Sequence, residues 1–100
     1  MMSFFTTIYT SQRLKQTGAK SDYVDYGKGR GYLKPMDAYT SSINSIQYGQ
    51  GFKFFIDVRE DIATTDKLTI GGETYEVRGV MPIMMGSVKV NECTIVKKKI

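Results

Sequence analysis

Histidine and tryptophan are absent from this 100-residue chain, and cysteine occurs once, at Cys93. Without histidine, the chain lacks the commonest general base, the commonest zinc ligand and the side chain that titrates near neutrality. A single cysteine excludes an intrachain disulfide and a thiolate metal cluster, which fits folding in a reducing compartment. No apolar run approaches the ~20 residues that cross a bilayer, so no membrane-spanning helix is expected. Met1-Met2-Ser3-Phe4-Phe5 has neither a basic region nor a long apolar core, so it does not read as a signal peptide.

These absences weigh against an enzyme. A Ser or Cys nucleophile would need a Lys or carboxylate base, and no nucleophile motif surrounds Cys93. Cys93 is expected to act as a small hydrophobe on the last strand. Asp57, Glu60, Asp61 and Asp66 lie close together in sequence, but their spacing fits no EF-hand loop, and Arg59 and Lys67 stand among them. They read as strand-end carboxylates. No catalytic residue, metal site or cofactor is expected.

One hundred residues make a single domain, 1–100, with one core. The aromatic residues are seven Tyr and five Phe, types that suit half-buried strand faces and subunit interfaces. The net charge of +4 is mild, and Lys97-Lys98-Lys99 reads as a solvated tail, with a weak, salt-sensitive DNA contact as the alternative.

Along the chain, Phe4–Thr10 is β-branched and aromatic and reads as a first strand. The polar stretch Ser11–Lys28, broken by Gly18 and Gly27, reads as a long loop with a helical turn around Arg13–Gln16. A short second strand over Gly29–Met36 is expected to end near Pro35. Asp37–Gly51 carries no charge after Asp37, and it reads either as a functional loop or as a flexible excursion. Phe52–Arg59 is the clearest strand, with Phe52, Phe54, Ile56 and Val58 on one face and Phe55 on the other. Strands at Lys67–Ile70 and Glu73–Val80 flank Gly71-Gly72, a pair suited to a two-residue hairpin turn. Met81–Gly86 reads as an apolar connection, and Val88–Lys97 as the closing strand. The shift of its alternation from Val88/Val90 to Cys93/Ile95 predicts a bulge near Asn91-Glu92. Five to six short strands mean a small antiparallel barrel or sandwich, a mostly β fold.

Two groups of residues are candidates for contacts. Lys28 and Arg30, set among Gly27, Gly29 and Gly31, are candidates for touching a DNA backbone, although the motif lacks the ending of a phosphate-binding P-loop. A mobile loop is the alternative. Phe55, Ile83, Met84 and Met85 exceed what one small core can hide, so they are candidates for a subunit interface.

The order of these elements resembles the head-tail joining proteins of long-tailed bacteriophages, small connector subunits also called stoppers or head completion proteins. The residues that carry the likeness are Thr7-Ile8-Tyr9-Thr10, Gly31-Tyr32-Leu33-Lys34-Pro35, Phe54-Phe55-Ile56-Asp57-Val58-Arg59 and the stretch from Asp61-Ile62 to Val80 with Gly72-Glu73-Thr74-Tyr75-Glu76-Val77. The resemblance implies a small β-barrel with a long loop between its second and third strands. It implies a homo-oligomeric ring, often twelvefold, below the portal and adaptor proteins, which closes the double-stranded DNA channel and docks the tail proteins. Asp37–Gly51 would then be the channel loop, with Asp37, Tyr39, Ile43, Asn44, Ile46, Gln47, Tyr48 and Gln50 as candidates for its lining. The implied location is the head–tail interface of a virion made in a bacterial cytoplasm. The chain departs from commoner members in lacking a Gly-Glu pair after Pro35 and in its tyrosine-rich loop. Rival readings are a tail-completion or terminator ring subunit and a nucleic-acid-binding barrel of cold-shock or oligonucleotide-binding type.

Overall fold

The computed structural model describes residues 5–36 and 49–98. Six strands account for most of them: β1 (Thr7–Thr17), β2 (Lys20–Pro35), β3 (Gly51–Asp57), β4 (Lys67–Ile70), β5 (Glu73–Met85) and β6 (Val88–Lys97). All pairings are antiparallel, and the order β1-β2-β3-β6-β5-β4 closes into a barrel when β4 returns to β1. The expected mostly β barrel is the observed one. Gly71 and Gly72 both take positive φ, 58° and 82°, the left-handed pair that a two-residue turn with the twist of its strands requires.

The interior is filled from all six strands. Phe54, Ile56, Leu68, Val77, Cys93 and Ile95 are fully buried at its centre. Tyr9 meets Phe54 edge-on at 5.4 Å, and Phe52 meets Tyr75 in the same way at 5.4 Å. These are the quadrupole-favoured arrangements of aromatic pairs. Burial and the adjacent Glu60 push the Tyr9 hydroxyl well above its ordinary range.

Several expectations are corrected. Ser11–Lys28 is neither a loop nor a helical turn; it forms most of a long β1–β2 hairpin that turns at Gly18, whose φ is 62°. Past Gln12 and Asp25 no other strand flanks this hairpin among the described residues, so both of its faces are largely solvated and no alternating apolar signal is needed. Met81–Gly86 is not a connection: β5 runs on to Met85 and pairs with β6 throughout. Pro82 lies where β5 has a neighbour on one side only, the edge position at which proline is tolerated. The β3–β6 ladder continues unbroken past Asn91 and Glu92, so β6 has no bulge against β3. The bulges lie at Tyr26 in β2 and at Arg78 in β5. The alternation of β6 shifts because Val90 points outward into a second apolar cluster while Cys93 and Ile95 point inward. Val58 lies beyond the end of β3 and is exposed.

Strand direction places both long hairpins at one end. The β1–β2 and β5–β6 turns share an end of the barrel with the 58–66 loop. Met36 and Gly49, which flank residues 37–48, lie at the other, where the Met36 amide donates to the Gly51 carbonyl at 3.1 Å. The molecule is 44 Å in its longest dimension.

Candidate interaction surfaces

The Gly27-Lys28-Gly29-Arg30-Gly31 motif lies on β2, so it is not a mobile loop. Its glycines face the barrel interior. A Cβ on Gly31 would stand 2.6 Å from the Phe54 ring and 2.6 Å from the Phe55 carbonyl oxygen, and one on Gly29 would stand 2.5 Å from Glu60 Oε1. Gly29 and Gly31 are therefore space for large side chains, whereas a Cβ on Gly27 would meet only Ser11 Oγ at 3.4 Å. The alternate residues, Lys28, Arg30, Tyr32 and Lys34, point outward and are exposed, and Tyr32 stacks on Phe55 at 6.0 Å. Sequence reasoning found Lys28 and Arg30 but missed Lys34, which the period of two on an unbroken strand would have added.

The four apolar interface candidates separate. Phe55 is not an exposed interface residue: on the outer face it is buried against Phe5 and Val90, with Ile83 and Met85 packed half-buried beside them. Surplus apolar side chains have thus made a second small cluster outside the barrel. Met84 is 57 % exposed, and Met81 and Val88 on the same hairpin are exposed with it. The β1–β2 hairpin adds exposed Leu14 and Val24. Arg13–Thr17, Lys20–Arg30 and Gly79–Met85 each have a paired strand on only one side or lie beside loop backbone, so both hairpins have long one-sided edges, whereas in the barrel body the short β1–β4 ladder leaves Thr7–Tyr9 paired on one side only.

Of the loop candidates, Asp37, Tyr39, Ile43, Asn44, Ile46, Gln47 and Tyr48 lie outside the described residues. Gln50 lies in the turn before β3, where its carbonyl accepts from the Lys97 amide at 2.8 Å.

A polar cluster at the base of the β1–β2 hairpin had no local sequence signal. Arg13 donates from Nε and Nη2 to the buried Asp66 at 3.0 and 2.9 Å, and from Nη1 to Asp61 at 3.2 Å. Its guanidinium lies 3.8 Å from the centre of the Tyr26 ring, and the Tyr26 hydroxyl donates to Asp61. The Tyr26 hydrogen bond and then Arg13 hold the Asp61 carboxyl below its ordinary range. Beside them Tyr23 donates to the Thr65 carbonyl at 3.1 Å, and the Lys67 ammonium sits 4.0 Å from the Tyr23 ring centre. Two of the four clustered carboxylates thus converge on one guanidinium, a structural tie between hairpin and loop. Asp57 is bonded instead by the Arg59 side chain and amide, which hold its carboxyl down to about 2.

No family model matches the chain, and no curated protein matches it. Among solved structures it is similar to the solution structure of protein SF1141 from Shigella flexneri 2a. The TM-score is 0.75 at 15% identity, over 96% of this chain and 95% of that one. That likeness identifies the fold: a closed six-stranded antiparallel β-barrel that both chains share over almost their whole lengths.

Proposed function

We propose that the chain is a structural, non-enzymatic ring subunit of a bacteriophage head–tail connector, sitting below the portal and adaptor, closing the DNA channel and docking the tail. The observation that carries this reading is the pair of long hairpins at one end of a closed barrel. The barrel body offers only a short strand edge at Thr7–Tyr9, while both hairpins offer long open edges together with exposed Leu14, Val24, Met81, Met84 and Val88. Open edges and apolar side chains on the same element are what strand addition between copies uses. Met36 and Gly49 lie at the opposite end, so the two ends differ, which suits a subunit with different neighbours above and below.

The test is the mass of the purified chain in solution, alone and then mixed with portal–adaptor complexes. A ring, or monomers that become a stoichiometric collar on the portal, is the expected result. A chain that joins isolated tail tubes and ignores the portal would make it a tail-completion or terminator subunit. A monomer that ignores both and shifts only on single-stranded DNA would make it a nucleic-acid-binding barrel.

A further inference from the structure

The geometry points to a binding surface for the phosphate backbone of double-stranded DNA on the outer face of β2, made by Lys28, Arg30 and Lys34. Three observations carry it. First, the three side chains share one face of one strand, with Arg30 about 6.6 Å along from Lys28 and Lys34 about 13 Å beyond Arg30, past Tyr32. These intervals are comparable to one and two separations of successive phosphates along one strand of a duplex. Beneath them the buried Gly31 and half-buried Gly29 seat β2 closely against the Phe54 ring and Glu60, so the cations stand on a packed strand.

Second, none of the three has a carboxylate within ion-pair distance among the described residues, whereas Lys53, Arg59, Arg78, Lys97 and Lys98 each do. Two acids on the same outer face are already neutralised: Glu92 pairs with Lys53 at 3.2 Å and Asp57 with Arg59 at 3.0 Å. Asp25 accepts from the neutral Gln12 amide at 3.2 Å and keeps its charge at the Lys28 end. Three unpaired cations against this one carboxylate leave the row net positive.

Third, the surface is grooved on both sides of Lys28. A shallow depression of about 340 Å³ lies between Ile8, Lys28, Gly29 and Arg30. A second, of about 430 Å³, lies along Thr10, Asp25, Tyr26 and Lys28. A polyanion of regular charge spacing fits such a row better than an acidic peptide does, because it needs no matching pattern of side chains.

This surface does not depend on ring formation, so its failure would leave the connector reading standing. The experiment is fluorescence anisotropy of the full chain with a short labelled DNA duplex, between about 50 and 200 mM salt. Three phosphate contacts contribute about −2.7 to the slope of log affinity on log salt. The triple variant K28Q/R30Q/K34Q is expected to lose a slope of that size and about tenfold or more in affinity at the low-salt end. K15Q/K20Q/K89Q removes the same charge from exposed positions off the row and is expected to keep most of both. K28R/R30K/K34R, which preserves charge, is expected to bind as the parent does, which separates lost binding from lost folding. Equal losses in the two glutamine variants, or none in the first, would overturn the proposal. So would polyglutamate competing as well as DNA of equal charge, which would assign the face to an acidic protein.

Discussion

The Arg13 guanidinium closes on the buried Asp66 carboxylate from two nitrogens, at 2.9 and 3.0 Å, across 53 residues of sequence. The β1–β4 ladder beside it has three residue pairs, Thr10–Gln12 against Lys67–Thr69, so this ion pair extends the shortest ladder that the barrel strands make with one another. Asp66 also accepts the Ala63 amide at 3.0 Å, and its own carbonyl accepts from Val77, which ties the 58–66 loop to β5. Removing Arg13 would leave a buried carboxylate without its counter-charge. Arg13→Ala is expected to cost about 3 kcal/mol, the low end for a broken buried pair because the arginine side chain is partly exposed. Arg13→Lys should recover only part, since an ammonium cannot reproduce the two-nitrogen grip. Urea denaturation of the three proteins measures this, and an alanine variant as stable as the parent would remove the pair's structural role.

Gly31 and Gly27 lie on the same inward face of β2 but differ in the room beneath them. Gly31→Ala drives a methyl into the Phe54 ring and the Phe55 carbonyl, each 2.6 Å away, while Gly27→Ala meets only Ser11 Oγ at 3.4 Å. The first is expected to cost about 1–3 kcal/mol by overpacking. The second should stay within about 0.5 kcal/mol of the parent. Thermal melts of the two variants make the comparison, and similar losses would mean that glycine is needed for some reason other than space.

Cys93 lies fully buried opposite Phe54, and burial, followed by the Glu92 charge, pushes its thiol up to about 12 from 9.0. The folded chain therefore holds this proton more tightly than the unfolded chain does. The resulting stabilisation is complete below pH 9 and is lost as the pH rises from 9 towards 12. Cys93→Ala should flatten the alkaline fall in the urea midpoint, leaving the part due to Tyr9 and Tyr75, whose hydroxyls are also raised by burial. Under native conditions the thiol should resist thiol reagents and react only on unfolding.

Phe55 and Met84, read alike from sequence as interface residues, should behave oppositely. Phe55→Ala empties the cluster with Phe5 and Val90 and is expected to cost about 3 kcal/mol in the isolated chain. Met84→Ser touches an exposed side chain and should leave stability within about 0.5 kcal/mol. On the connector reading, the Met84 variant should assemble less well on portal–adaptor complexes at unchanged melting temperature. Normal assembly by this variant would take Met84 out of the interface.

Local signals were legible where one face was buried and a turn was chemically marked. Gly71-Gly72, the alternation of Phe54 and Ile56, and the pair Tyr75 and Val77 all follow from such signals. The β1–β2 hairpin was not legible, because a strand pair solvated on both faces has no reason to alternate. Val90 and Phe55 misled because the sheet is apolar on both sides near Phe5, and a period-two reading assigns one buried face. Gly29 and Gly31 looked like loop residues because the groups that need their space, Tyr9, Glu60 and Phe54, come from elsewhere in the chain. Arg13 and Asp66 meet only through closure of the barrel, and no window of sequence contains both.

The strand order divides the barrel into two three-stranded meanders, β1-β2-β3 and β4-β5-β6, stitched along two seams of unequal length. The β3–β6 seam has seven residue pairs and the β1–β4 seam three. The short seam joins the residues that are furthest apart in sequence, so its closure follows the largest loop-entropy cost. The halves should therefore meet first along β3–β6, hinge there, and shut last at Thr10–Gln12. Amides in that short stretch would exchange by a partial opening while those along β3 wait for global unfolding.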